Sequence, residues 1–125
     1  MKLLDTSVAV DHLRGDQHAV ALLGRLVDEE EHVVASEVVR FELVAGVRDD
    51  ELEALEQFFS ALSWIPIDEA ITRTAGSLAR QHRRAYSGID DADYLIAATA
   101  LVLDAELLTT NVGHFPMLAG LRPAY

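Results

Sequence analysis

The stretch MKLLDTSVAVDHLRG, residues 1–15, decides the fold. An apolar run at residues 2–4 reads as a buried strand and halts on Asp5. SVAVDHLRG then reads as a short helix closed by Gly15. A strand that passes directly into a helix is the opening of a β–α–β unit, and the alternation continues. Residues 17–28 place apolar side chains at 19, 22, 23, 26 and 27, a helical spacing. HVVA (32–35) predicts a second short strand. Ser36 then caps a helix running to about Ala45 and closed by Gly46. Residues 50–62 predict an acidic amphipathic helix with Leu52, Leu55, Phe58, Phe59 and Leu62 on one side. WIPI (64–67) predicts a third strand, with Asp68 capping a helix over 69–84. Residues 86–88 form a loop, 91–103 a long helix, and ELLTT (106–110) a fourth strand. This order predicts an α/β domain: a short parallel sheet of four to five strands flanked by helices.

The bounds agree with one domain spanning residues 1–125. Half of the residues are apolar, a globular composition, and there is no repeat or low-complexity stretch. The chain has no cysteine, which excludes disulfides and thiolate metal sites and fits a reducing compartment. No apolar run approaches the roughly 18 residues that span a bilayer. Lys2 is followed at once by Asp5 and Asp11, unlike a signal peptide, so a cytoplasmic, non-membrane protein is expected.

Twenty-one acids against ten bases give a net charge of -11. That argues against a broadly basic nucleic-acid-binding surface. It leaves room for a nucleic-acid enzyme whose metal supplies the positive charge, and it suits a basic protein partner. The runs Asp28–Glu31 and Asp49–Glu51 read as solvated turns. The run Asp90-Asp91-Ala92-Asp93 differs, because it leads straight into an apolar helix.

Ligands of parallel α/β sheets sit beyond the carboxyl ends of the strands. Asp5 ends the first strand, Ser36 follows the second, and Thr109, Thr110 and Asn111 end the fourth. Two helices can lean over that edge. By the 100° helical step, Glu42 falls about 40° from Val38 and about 60° from Val39, on the flank of the apolar face. Asp93 lies one turn before Ala97 on the buried face of its helix, roughly 200° from Asp91. Each acid also has an ordinary explanation: Asp5 or Asp90 as a cap, Asp93 as a helix-dipole partner, Glu42 as a surface residue. The conjunction favours a site. Carboxylates converging without a counter-charge repel one another, and a hard cation removes the conflict. Oxygen ligands without Cys select Mg²⁺, with Mn²⁺ as the alternative, and the matching chemistry is phosphodiester hydrolysis.

LLDTSV (3–8), the glutamate of SEVVRFELVAG (36–46), DADYLIAATAL (91–101) and LLTTNVGHF (107–115) together resemble the PIN domain. More narrowly, they resemble the VapC-type ribonuclease toxins of toxin–antitoxin pairs. The resemblance spans nearly the whole chain, with the motifs in family order. It implies a compact PIN-like domain, a metal-dependent endoribonuclease acting on RNA, a homodimer, and inhibition by a VapB-type antitoxin. Asp5, Glu42 and Asp93 match the catalytic acids, with Asp5 and Asp93 as the metal ligands. Thr6, Asp91, Thr110 and Asn111 are expected to support them, with Thr109 as the alternative to Thr110 for the second hydroxyl, and Asn111 stands where many relatives carry Asp. His114 is expected to be structural. The antitoxin is expected to place an Arg or Lys among the three carboxylates, with apolar anchors near Leu52, Leu55 and Phe59.

Other phosphate chemistry fits less well. A phosphoacceptor receiver domain needs a lysine after its last strand, and the only lysine is Lys2. An aspartate-nucleophile phosphatase needs a second Asp two residues after the first, where this chain has Ser7. A catalytically degenerate PIN-like interaction module remains the alternative to the enzyme.

Overall fold

The computed structural model describes all residues, 1–125. Four short strands form one parallel sheet: β1 (Lys2–Leu4), β2 (Val33–Ser36), β3 (Ser63–Ile65) and β4 (Glu106–Leu108), in the order β3-β2-β1-β4. Lys2 lies opposite Val33 on one side and Glu106 on the other, and Val34 lies opposite Ser63. Six helices complete the chain: α1 (Thr6–Leu13), α2 (Gln17–Asp28), α3 (Glu37–Gly46), α4 (Leu52–Ser60), α5 (Glu69–His82) and α6 (Asp91–Leu103). No helix is long and apolar enough to cross a membrane.

β1, β2 and β4 are buried over most of their length, as inner parallel strands require, while the edge strand β3 is only half-buried. Leu3, Leu4, Val34, Ala35, Leu107 and Leu108 form the middle of the core. Val8, Leu22, Leu26, Val39, Leu55, Phe59 and Ile96 cover them from the helices. A second cluster joins α5 to α6, where Ile71, Ala75 and Ala79 meet Tyr94 and Ala98. Small side chains on both partners let the two axes approach closely. Residues 93–94 and 96–100 of α6 are all buried, which explains why this helix is apolar without a one-sided stripe.

Local chemistry starts the helices where the sequence predicts. Ser36 accepts the Val38 N–H at 3.1 Å, Asp68 the Ile71 N–H at 2.9 Å, and Asp16 the His18 and Ala19 N–H groups. Each such cap contributes about 1 kcal/mol. Gly15 (φ +79°) supplies the left-handed turn after α1.

Some boundaries move. β3 ends at Ile65 rather than residue 67, because Pro66 has no N–H for the ladder. β4 ends at Leu108, which leaves Thr109 and Thr110 outside the strand and free to turn into the site. The acidic helix begins as a 3-10 turn, Asp49–Glu51, before α4 proper. Gly46 is the last residue of α3 rather than its left-handed stop, and the chain leaves through extended Val47. Leu55 and Phe59 are consumed by the core. The apolar residues left exposed nearby are Phe41, Val44 and Leu52.

Candidate active site

Asp5 stands at the N-cap position of α1, yet its side chain caps nothing. Although only 4% exposed, it turns toward the end of β4. Its Oδ2 accepts two hydroxyl protons, from Ser7 Oγ at 2.9 Å and from Thr109 Oγ1 at 2.7 Å. Each hydroxyl is itself oriented by a backbone donor: the Thr110 N–H points at Ser7 Oγ (3.1 Å) and the Asn111 N–H at Thr109 Oγ1 (3.0 Å). A hydroxyl that accepts from a fixed N–H has its proton free to point at the carboxylate. Oδ2 is therefore held twice, while Oδ1 carries no hydrogen bond.

Glu42 leans in from α3, half-buried as its flank position predicts. Thr6 Oγ1 donates to its Oε1 at 2.6 Å. Burial raises its pKa above the ordinary carboxylate value. The Thr6 bond opposes that rise, and the charges of Asp5 and Asp90 add to it.

Asp93 enters from the first turn of α6. Asp90 Oδ1 accepts the Asp93 N–H at 3.1 Å, and Asp93 Oδ2 accepts the Asp90 N–H at 3.2 Å, a reciprocal cap. The Asp93 side chain is 13% exposed. Burial is the main reason its pKa is pushed up to about 6, with further repulsion from Asp90 and Asp5. The Asp90 N–H bond and His114, whose Nδ1 lies 3.4 Å from Asp93 Oδ2, pull the other way.

Asp5 thus lies within electrostatic reach of both Glu42 and Asp93, as does Asp90, and Thr6 is attached to Glu42. Of the supporting residues expected from sequence, Asp91 is not part of this cluster. Its side chain is 87% exposed and pairs with Arg83 at 2.8 Å. Thr110 and Asn111 contribute backbone N–H groups to the network rather than side chains. Of the two threonines after β4, Thr109 is the one whose hydroxyl reaches Asp5. Ser7 joins the site without any periodic signal, and its place two residues after Asp5 is the sequence feature that marks it. His114 touches Asp93, which periodicity and spacing did not indicate.

No three acidic or histidine side chains close around a common point to form a ready-made ion cage. The donor set still suits a small hard cation. Mg²⁺ is ordinarily held by one or two carboxylates and keeps much of its water. Asp5 Oδ1 and the Asp93 carboxylate supply that number of oxygens. A cleft of about 760 Å³ lies elsewhere: it is lined by Lys2 and Glu106 at the strand starts and by Leu118–Ala124 of the tail.

A four-stranded parallel α/β domain with an acidic pocket at the carboxyl edge of its sheet defines the class of this protein. The chain belongs to the PIN domain family, whose model matches residues 2–119. It is 60% identical to Ribonuclease VapC19 of Mycobacterium tuberculosis over 125 residues, covering the whole of both chains. It is 39% identical to Ribonuclease VapC10 of the same organism over 127 aligned positions, covering 100% of this chain and 93% of that one. Among solved structures it resembles a chain of VapBC2 from Rickettsia felis bound to a DNA fragment from their promoter. That match has a TM-score of 0.81 at 25% identity and covers 96% of this chain and 94% of that one.

Proposed function

We propose that this protein is a divalent-metal-dependent endoribonuclease, the toxin of a VapBC-type pair. The observation that carries the reading is Asp5: buried, fixed through one oxygen by Ser7 and Thr109, and open at the other. Full-length identity to two proteins named ribonucleases supports the choice of RNA.

Asp5 and Asp93 would hold Mg²⁺, or Mn²⁺ in its place. When bound, the ion would supply positive charge for the attacked phosphate and acidify a water. The protein's own share is orientation and proton handling. Ser7 and Thr109 keep Asp5 from rotating away. Burial raises the pKa of Glu42 and so makes it a stronger base, suited to accept a proton from water. Thr6 fixes which Glu42 oxygen remains free.

Without metal, the three acids concentrate negative charge. An Arg from a VapB-type antitoxin fits there, since its planar fork bonds two carboxylate oxygens and keeps its proton. The apolar contacts expected at Leu55 and Phe59 move to exposed Phe41, Val44 and Leu52. A homodimer and a cytoplasmic location belong to the same reading.

The test is cleavage of single-stranded RNA by the purified protein with Mg²⁺, with EDTA, and with Asp5→Asn. Cleavage is expected only for the wild type with metal. RNA left intact by the wild type in both Mg²⁺ and Mn²⁺ would leave the degenerate interaction module standing instead.

A further inference from the structure

Charge is distributed very unevenly along this chain. Residues 70–89 contain four arginines and no Asp or Glu, so a protein of net charge -11 holds a +4 segment against -15 elsewhere. The segment is α5 and the loop that follows. Arg73 makes a loose pair with Glu69 at 3.6 Å, and Arg83 pairs with Asp91. Arg80 and Arg84 are exposed and have no carboxylate partner. Arg80 stands in the last turn of α5 and Arg84 in the turn just beyond it, so the two positive charges share the end of the helix. A helix C-terminus favours a cation, but three arginines between 80 and 84 exceed what a half-charge can balance.

Position adds a second, independent argument. The Arg83 guanidinium bonds Asp91, the first residue of α6, and its Cζ lies 5.7 Å from the Tyr94 ring centroid. The basic end of α5 is thereby fixed beside the helix turn that carries Asp93. Tyr86 follows in the loop, 46% exposed, with its ring centroid 6.0 Å from that of His82. Cations that track a backbone beside an exposed aromatic ring are the combination that holds single-stranded nucleic acid.

We propose that the C-terminal end of α5 and the loop to α6 form a docking surface for single-stranded RNA. Arg80 and Arg84 contact its phosphates, and Tyr86 stacks a base. This surface deepens the ribonuclease reading and rests on it. It also answers a physical difficulty of that reading: the acidic pocket by itself repels a polyanion, and the arginines at its border hold the strand within reach. Arg80, Arg84 and Tyr86 are positioning residues, remote from the reacting atoms.

The probe is a fluorescein-labelled RNA of about twenty nucleotides, titrated with the full-length protein in EDTA at several salt concentrations. The double variant Arg80→Gln/Arg84→Gln should weaken binding about tenfold. It should also lower the slope of log K against log salt by about 1.4, at about 0.7 per lost phosphate contact on a single strand. Tyr86→Ala should weaken binding at least about fivefold without changing the slope. In Mg²⁺ the double variant should raise KM and leave kcat near wild type. Arg122→Gln, a partnerless arginine at the far cleft, should change none of these. Unchanged affinity, slope and KM in the double variant would overturn the proposal, as would wild-type protein that binds no RNA. An equal effect from Arg122→Gln would overturn it too, because only bulk charge would then be at work. The two readings fail separately: cleavage that persists in Asp5→Asn sinks the assigned active site without touching the salt slope.

Discussion

Replacing Asp93 by Asn should stabilise the metal-free protein while abolishing cleavage. Asp93 has its pKa pushed up to about 6 in the folded chain, against 3.8 for an unperturbed aspartate. The folded state therefore binds the proton more tightly than the unfolded state. The stability that this provides is complete below pH 3.8 and is lost as the pH rises through about 6. At pH 7 the ionised carboxylate costs up to about 3 kcal/mol, at 1.36 kcal/mol per pKa unit. Asn removes the charge and keeps an oxygen for the Asp90 N–H, so most of that cost should be recovered. Relaxation and water around the half-screened site reduce the gain, which leaves about 1.5–2.5 kcal/mol. With an unfolding entropy near 0.26 kcal/mol/K for a chain of this length, Tm should rise by about 6–10 °C at pH 7. Thermal unfolding followed by circular dichroism in EDTA, from pH 4 to 8, reads the effect directly. The gap between variant and wild type should shrink to under about 1 kcal/mol by pH 4. Added Mg²⁺ should narrow it at pH 7, since an ion that binds only the folded wild type stabilises it by mass action. A variant that melts at or below wild type at pH 7 would refute the reasoning, and so would a gap independent of pH.

Thr109→Val keeps the shape of the side chain but removes a charge-assisted hydrogen bond to Asp5 and strands the Asn111 N–H. It should cost about 1.5–3 kcal/mol in denaturant unfolding and lower cleavage sharply. Tyr94→Phe should be neutral or stabilising by about 1 kcal/mol, because the buried Tyr94 hydroxyl has no hydrogen-bond partner; a loss above that in urea titration would reveal a hidden one. Asp91→Asn should leave kcat within twofold of wild type, since its exposed pair with Arg83 is worth little. Neutralising Glu29, Glu30 and Glu31 together should also leave cleavage almost unchanged, and a tenfold loss would place that turn in the site.

Most of the fold is legible in the sequence because each strand passes into a helix through a residue with a defined physical task. Ser36 and Asp68 accept the N–H groups that cap formation requires, and Pro66 stops β3 because it cannot donate. The helical face of Glu42 and Asp93 follows from 100° steps alone. What periodicity cannot show is direction across the sheet. The β4 hydroxyl that reaches Asp5 depends on where pairing ends. With the strand stopping at Leu108, Thr109 turns inward and Thr110 offers only its N–H. Asp91 and Asp93 are equivalent as letters, and the structure separates them by burial: one meets Arg83 in solvent, the other faces His114 and the pocket. Ser7 is the second residue of α1 and His114 lies in a 3-10 turn, and helical spacing says nothing of the contacts that either side chain makes.

The bond between Thr109 and Asp5 joins the first strand end to the last, across 104 residues of sequence. A nascent chain carries Asp5 long before it carries Thr109. At about five to twenty residues per second, roughly 5–20 s of synthesis separate the two. During that interval no docked β4 exists to hold the carboxylate in place. A partial chain stalled on the ribosome would thus have acids but no assembled centre. Only nearly complete molecules could therefore present the assembled acidic centre.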